Sequence, residues 1–325
     1  MTERLEGLQG WVEQQLGGGV VLTPASEDAS FRRYFRIDRP GGDSLIVMDA
    51  PPPQEDCVPF VRLARQLRDL GVHTPEVLAE DLERGFLLLE DLGSRHYLEA
   101  LDEQSVDRLY GDALGALVTV QALGPRDGLP PYDRALLQQE MALFPDWLLQ
   151  RHLGLEPDQG QRQLLEQAFE LLIDNALEQP RVCVLRDFHS RNLMVTGRHN
   201  PGVLDFQDAV VGPVTYDLVS LLKDCYVRWP RDRVVAWVEG YFELAVQSGV
   251  LPAEHEQRFL RWFDLMGVQR HLKAAGIFAR LNARDGKPGY LADIPRTLGY
   301  VVEVGEIYPE LADLGALCQR VLDDL

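Results

Sequence analysis

The chain has 325 residues, 46% apolar and 26% charged, which is too long for one small core and about right for two globular lobes. No run approaches the ~18 uninterrupted apolar residues of a membrane span. A formal charge of −19 excludes nucleic acid or an anionic membrane surface as the main partner, because both recruit a basic footprint. The opening MTERLEGLQGWVEQQLGGG carries charge where a secretory signal needs an apolar centre, and Leu5, Leu8, Trp11 and Val12 suit a short amphipathic helix. Strand patterns follow near 20–23, 31–37, 44–48, 77–81 and 85–90. Within this first third, Val58, Val61, Leu63, Leu67 and Leu70 form a helical stripe that Gly71, Val72 and Pro75 terminate.

From about residue 103 the apolar period shifts to 3.6, predicting helices near 103–123, 133–151, 160–178, 215–226, 231–247, 256–282, 293–304 and 309–323. Short apolar runs at 182–185, 193–196 and 202–204 read as small strands that interrupt them. This order predicts an α+β chain with a small β-rich lobe, residues 1–92, ending in a connection at LLLEDLG, and a large, mainly helical lobe, residues 93–325. A cleft is expected between the lobes. Cys57, Cys183, Cys225 and Cys318 have neither C-x-x-C nor zinc-like spacing, as expected of reduced core thiols in a cytoplasmic protein.

The chemistry concentrates in LRDFHSRN, residues 185–192, and in DFQD thirteen residues beyond it. Phosphoryl transfer to a hydroxyl needs a carboxylate at the nucleophile and oxygen ligands that hold Mg²⁺ across the nucleotide phosphates. Asp187 and Asn192 have the D-x-x-x-x-N spacing, and Asp205 stands where D-F-G places a metal ligand. Pairing of LMV with GVL as a hairpin would bring Asn192 and Asp205 to one ion. For either loop residue alone, a turn cap is the competing reading. His189 and Arg191, between base and metal ligand, are candidates for substrate contact. Asp208 is a candidate for substrate or a second metal, with a simple cap as the alternative. Asp217, opening a helix, is read as support for the loop from below.

The nucleotide side departs from the usual pattern. SEDASFRRYF has no G-x-G-x-x-G, Met48 stands near the position expected of a strand lysine, and Glu55 at its entrance is the one glutamate near the following helix. Arg32, Arg33 and Arg36 crowd the adjacent strand, and an arginine could supply the missing cation with a bidentate grip, so Arg32 and Arg33 are phosphate candidates. Backbone groups near Glu90 and Leu92 are expected to receive the adenine edge.

The strings ASFRRYFR, MDAPPPQEDC, LERGFLLLEDLG, GVLDFQDAVVGPVTYDLVSLLKDC, MGVQRHLKAAGIFARL and RDGKPGYL span nearly the whole chain. They resemble the aminoglycoside phosphotransferase and choline kinase superfamily, and within it the bacterial anomeric sugar kinases of peptidoglycan recycling. The resemblance implies a protein-kinase-like two-lobed fold and ATP- and Mg²⁺-dependent phosphorylation of the C1 hydroxyl of N-acetylmuramate or N-acetylglucosamine. It makes Asp187 the base and Asn192 and Asp205 the metal ligands. The same group also does without the strand lysine. One departure is Leu185, where such loops begin with a histidine that braces them. Arg270 and Lys273, three apart on one helix, are candidates for a lactyl carboxylate, with bonds inside the lobe as the alternative. Two other readings stay open: a phosphotransferase for a cationic hydroxyl compound such as an aminoglycoside or amino alcohol, suited to the −19 charge, and a non-catalytic nucleotide sensor lacking the lysine and glycine-rich turn.

Overall fold

The computed structural model describes residues 2–27 and 31–325. Helix α1 (Thr2–Leu16) precedes five antiparallel strands, β1 (Thr23–Glu27), β2 (Arg33–Asp38), β3 (Ser44–Asp49), β4 (Val77–Asp81) and β5 (Phe86–Glu90), ordered β1-β2-β3-β5-β4. Helix α2 (Val58–Asp69) crosses from β3 to β4. Alternation along the strands sorts the side chains. Phe35, Ile37, Leu45, Val47, Phe86 and Leu88 pack on Leu8, Trp11 and Val12 of α1. On the other face, Met48, Leu87 and Leu89 join Phe60, Val61, Leu63, Ala64 and Leu67 of α2 in a core that continues into the helical body.

The first strand starts three residues later than the apolar run at 20–23 suggests. Val20 and Leu22 pack beside the α1 cluster, while pairing to β2 begins at Thr23↔Arg36 and is irregular between Pro24 and Ser26. An edge strand needs backbone pairing on one side only, so hydrophobicity marks it poorly.

The body contains α3 (Tyr97–Ala100), α4 (Val106–Leu123), α5 (Arg134–Leu143) and α6 (Gln159–Leu177). The helix expected over 133–151 changes pitch at Phe144 and continues as a π-helical stretch, Phe144–His152. Pro145 has no N–H to give the ladder there, and the turn is pressed against a later helix. Strands β6 (Arg181–Val184), β7 (Leu193–Met194), β8 (Gly202–Val203) and β9 (Val210–Pro213) follow. The predicted hairpin forms, pairing Leu193 with Val203 and Met194 with Gly202. β6 pairs with β9, a four-residue strand too short to announce itself by periodicity.

The remaining helices are α7 (Tyr216–Leu222), α8 (Arg231–Gln247), α9 (Glu256–Asp285), α10 (Ile294–Ile307) and α11 (Ala312–Asp323). α7 stops short of the expected residue 226 because Asp224 leaves the helix to accept from the Ser190 and Tyr226 backbone N–H groups, at 2.9 and 3.0 Å. α9 is buried all round from Trp262 to Lys273, as the central strut of the body. Among the described residues no helix is long and apolar enough to cross a membrane. The four cysteines are free and buried.

Candidate active site

The loop between β6 and β7 is built on carboxylates beneath it. Asp217, in the first turn of α7, accepts from the backbone N–H of Leu185 at 2.7 Å and of Arg186 at 2.9 Å. These bonds brace the loop at the point where Leu185 replaces the usual histidine. Burial pushes the Asp217 carboxyl up to about 7, against the lowering effect of the two N–H donors. Arg186 has φ +75°, an uncommon left-handed conformation for a side-chain-bearing residue. It is held from both ends, by Asp217 at its N–H and by Glu140 of α5 at its guanidinium. The twist turns the next residue, Asp187, toward the cleft, whose wall it joins.

Two turns then close the loop. His189 N–H donates to the Asp187 carbonyl at 3.0 Å and Asn192 N–H to the His189 carbonyl at 2.9 Å. The Asn192 side-chain amide donates to the Asp187 carbonyl at 3.1 Å and to Asp205 Oδ2 at 3.3 Å. The β7–β8 hairpin brings Asp205 back, and the Leu204 N–H donates to the Asn192 carbonyl at 2.9 Å. Asp205, with φ +58°, is held further by Gln207 Nε2 on its Oδ1 at 2.6 Å. Asp187, Asn192 and Asp205 therefore line one cavity of about 760 Å³.

The donor set suits a hard cation. Among the described residues no cluster of three or more His, Cys, Asp or Glu is poised for a metal. Asn192 and Asp205 supply one amide and one carboxylate, the short protein share that Mg²⁺ takes when phosphates and water complete its shell. The Asn192 nitrogen faces Asp205 and the Asp187 carbonyl, which leaves its Oδ1 as the acceptor for an ion.

Arg270 and Lys273 lie under the loop instead of facing the cavity. Lys273 Nζ contacts Glu140 at 3.0 Å and the Tyr216 hydroxyl at 2.9 Å. Burial pushes the Glu140 carboxyl up, but Lys273 and Arg186 outweigh it and hold it below the ordinary carboxylate range. Buried Arg270 donates to Cys225 Sγ at 3.5 Å and lies within electrostatic reach of Asp224, Asp187 and Asp217. Both cations are occupied as counter-charges inside the body, because α9 has no solvent face at these positions. Of the two readings of this pair, these contacts support bonds inside the lobe.

On the sheet side, Tyr34, Arg36, Ile46, Glu90 and Leu92 line the cavity. Glu90 is held by Arg68 at 2.8 Å, with its N–H donating to the Glu76 carbonyl at 2.9 Å. Leu92 packs on Gly202, where an added Cβ would lie 2.8 Å from Leu92 Cδ1. Arg32 pairs with Glu55 at 2.9 Å, both nearly buried, and feels Asp205 and Asp208. Burial alone would lower the Arg32 pKa, but Tyr34 and these carboxylates raise it. Arg33 falls on the opposite face, where Asp49 takes its Nε at 3.0 Å and also binds Arg4. It is not part of the cavity wall, contrary to the phosphate contact expected of it. Met48 is fully buried between the sheet and α2 and is not part of the cavity wall. Asp208 is exposed on a turn outside that wall, near Arg32.

The opposite wall is aromatic. The Arg191 guanidinium lies 3.7 Å from the Tyr226 ring centroid and 5.6 Å from that of Tyr290. Phe278 stacks on Tyr290 at 5.8 Å, and His189 meets Tyr226 edge-on at 5.4 Å. Burial keeps the His189 pKa below the ordinary histidine value. Sequence reasoning missed Glu140, Asp224 and Tyr226. The first two had one signal, lone acids inside apolar helical runs (LLQQEMALF and VSLLKDCYV), where a buried charge demands a partner.

The chain is similar to known proteins over most of its length. The N-acetylmuramate/N-acetylglucosamine kinase of Pseudomonas aeruginosa is 54% identical over 298 residues, 91% of this chain and 87% of that protein. The choline kinase LicA from Streptococcus pneumoniae superposes with TM-score 0.63 at 13% identity, covering 90% of this chain and 98% of that one. An ADP-bound aminoglycoside phosphotransferase, APH(2'')-Ib, gives 0.60 at 16% identity, covering 90% and 97%. These two likenesses carry the protein-kinase-like fold. Residues 21–260 match the phosphotransferase enzyme family across most of the chain, and the chain belongs to that family.

Proposed function

We propose that the protein is an ATP-dependent kinase that phosphorylates the anomeric hydroxyl of an N-acetylated amino sugar, N-acetylmuramate or N-acetylglucosamine, in the cytoplasmic recycling of cell-wall sugars. The carrying observation is the convergence of Asp187, Asn192 and Asp205 on one cavity. The substrate class is supported by the relative's name at 54% identity.

In this reading residues 1–92 grip the nucleotide and residues 93–325 carry the loop and the sugar site. Asp187 accepts the proton of the attacking hydroxyl. An anomeric hydroxyl is more acidic than an ordinary alcohol, so a carboxylate suffices as base. Asn192 and Asp205 hold Mg²⁺, which neutralises charge on the transferring phosphoryl group when bound. Arg32, supported by Glu55, supplies from the end of β2 the cation that a lysine at position 48 would have given. The backbone around Glu90 and Leu92 takes the adenine edge.

Incubation of the protein with ATP, Mg²⁺ and each sugar, read by ³¹P and ¹H NMR, tests this. A sugar α-1-phosphate is the expected product. Phosphate on the hydroxyl of a cationic acceptor, with neither sugar turned over, would favour the alternative that the −19 charge suggests.

A further inference from the structure

Two arginines line the cavity among the described residues, Arg36 and Arg191. Arg36 is committed. Asp91 takes its Nε at 2.6 Å and its Nη2 at 3.2 Å, and the Gly93 carbonyl accepts a further bond at 3.1 Å. Arg191 is held differently. Its guanidinium lies over Tyr226 and near Tyr290, and among the described residues the one carboxylate within 4 Å is Asp293, through a single 3.9 Å approach. Asp293 gives its other oxygen to Arg296 at 2.8 Å, so Arg191, Asp293 and Arg296 together keep one unit of positive charge.

A guanidinium held by its faces keeps its edge N–H groups for a planar bidentate partner. Position identifies that partner. Tyr226 follows α7 and Tyr290 precedes α10, so Arg191 stands on the helical wall, across from Arg36, Glu90 and Leu92. It therefore faces the acceptor and not the nucleotide. It also shares its loop with Asp187, four residues away, which sets it beside the reacting hydroxyl and not upon it.

We propose that Arg191 binds the carboxylate of a lactyl ether on the acceptor and is the residue that lets this one site accept an acidic amino sugar as well as a neutral one. This rests on the sugar-kinase reading above. N-acetylmuramate carries that ether on C3, two ring carbons from the anomeric centre, whereas N-acetylglucosamine has a plain hydroxyl there. In a chain of charge −19 an acidic acceptor needs such a local cation.

The test measures kcat/KM for both sugars, and for the neutral carboxamide of N-acetylmuramate, in the wild-type protein, Arg191→Gln and Arg191→Lys. In Arg191→Gln the ratio of N-acetylmuramate to N-acetylglucosamine efficiency should fall at least tenfold, whatever common loss both suffer, and Arg191→Lys should recover part of it. The carboxamide should lose a similar factor in the wild-type protein and show no loss in Arg191→Gln beyond that common one. A ratio that moves less than tenfold, or a carboxamide used as well as the acid by the wild-type protein, would overturn the assignment. The wild-type carboxamide measurement needs no variant to fold. Transfer to neither sugar by the wild-type protein is a separate result, which removes the sugar-kinase reading and this inference with it.

Discussion

Asp187 reaches the cavity because its neighbour Arg186 is twisted to φ +75° and clamped at both ends. Asp187→Asn preserves that geometry and removes the proposed proton acceptor, so kcat should fall about 10²–10⁴-fold, with ATP affinity by titration within a few-fold of wild type. Arg32 is the second side chain on which the proposed function depends. Arg32→Met would leave Glu55 nearly buried and unpaired and would take a cation from beside Asp205. A charge-assisted bond contributes roughly 1.5–3 kcal/mol, so kcat/KM for ATP should drop about 10–150-fold. The same substitution at Arg33, on the α1 face, should change it little. Alternation along β2 was legible in the sequence, since neighbouring arginines had to face opposite sides. Which of them faced the cleft was not, because the α1 helix that covers the Phe35 and Ile37 face is brought there only by the fold.

Among the elements, α9 shows how tertiary context changes the meaning of a pattern. Its helical period was clear over 256–282, and its length was close to the observed Glu256–Asp285. Arg270 and Lys273 on it were candidates for a substrate carboxylate or for bonds inside the lobe, and the helix has no solvent face between Trp262 and Lys273. The closeness of its packing is set at Gly276, where an added Cβ would stand 2.3 Å from the Leu143 carbonyl carbon at the junction of α5 and the π-helical stretch. Gly276→Ala should therefore destabilise despite the better helix propensity of alanine, by about 1–3 kcal/mol of overpacking. The check is a lower urea midpoint at unchanged m value. The β7–β8 hairpin was the opposite case. Two apolar runs joined by a turn pair locally, and this is why the approach of Asn192 to Asp205 could be read from spacing.

Across the whole molecule, buried titratable groups pull stability in opposite directions with pH. His271 is fully buried, bonded through Nε2 to the Lys223 carbonyl at 2.8 Å and stacked on Tyr300 at 4.6 Å, and burial drives its pKa well below 6.5. The unfolded chain then binds the extra proton, so this contribution is present above pH 6.5 and is lost as pH falls below it. Asp217, raised to about 7, has the other sign: its contribution is full below about 3.8 and declines as pH rises toward 7. The wild-type curve mixes the two, so the comparison must be with His271→Gln. The variant should lose less stability between pH 6.5 and 5 than the wild type, by up to about 1.4 kcal/mol per pH unit in urea unfolding. The predicted order of a small sheet followed by a helical body is present, with one difference. The core under α2 runs unbroken into the body on both sides of the proposed boundary after residue 92.

The sequence by itself determined the order of elements, the strand-loop-strand that gathers Asp187, Asn192 and Asp205, and the family. These depend on short-range periodicity and on spacings of a few residues, which the chain carries locally. The tertiary structure alone decided that Arg270 and Lys273 serve as buried counter-charges, that Glu140 and Asp224 support the loop alongside the expected Asp217, and that Arg32 and not Arg33 stands near Asp205. Each of these is a choice between partners 30 or more residues away, or between two faces of one strand. A charge in a low-dielectric interior takes whichever opposite charge the fold brings within reach, and the fold alone determines that reach.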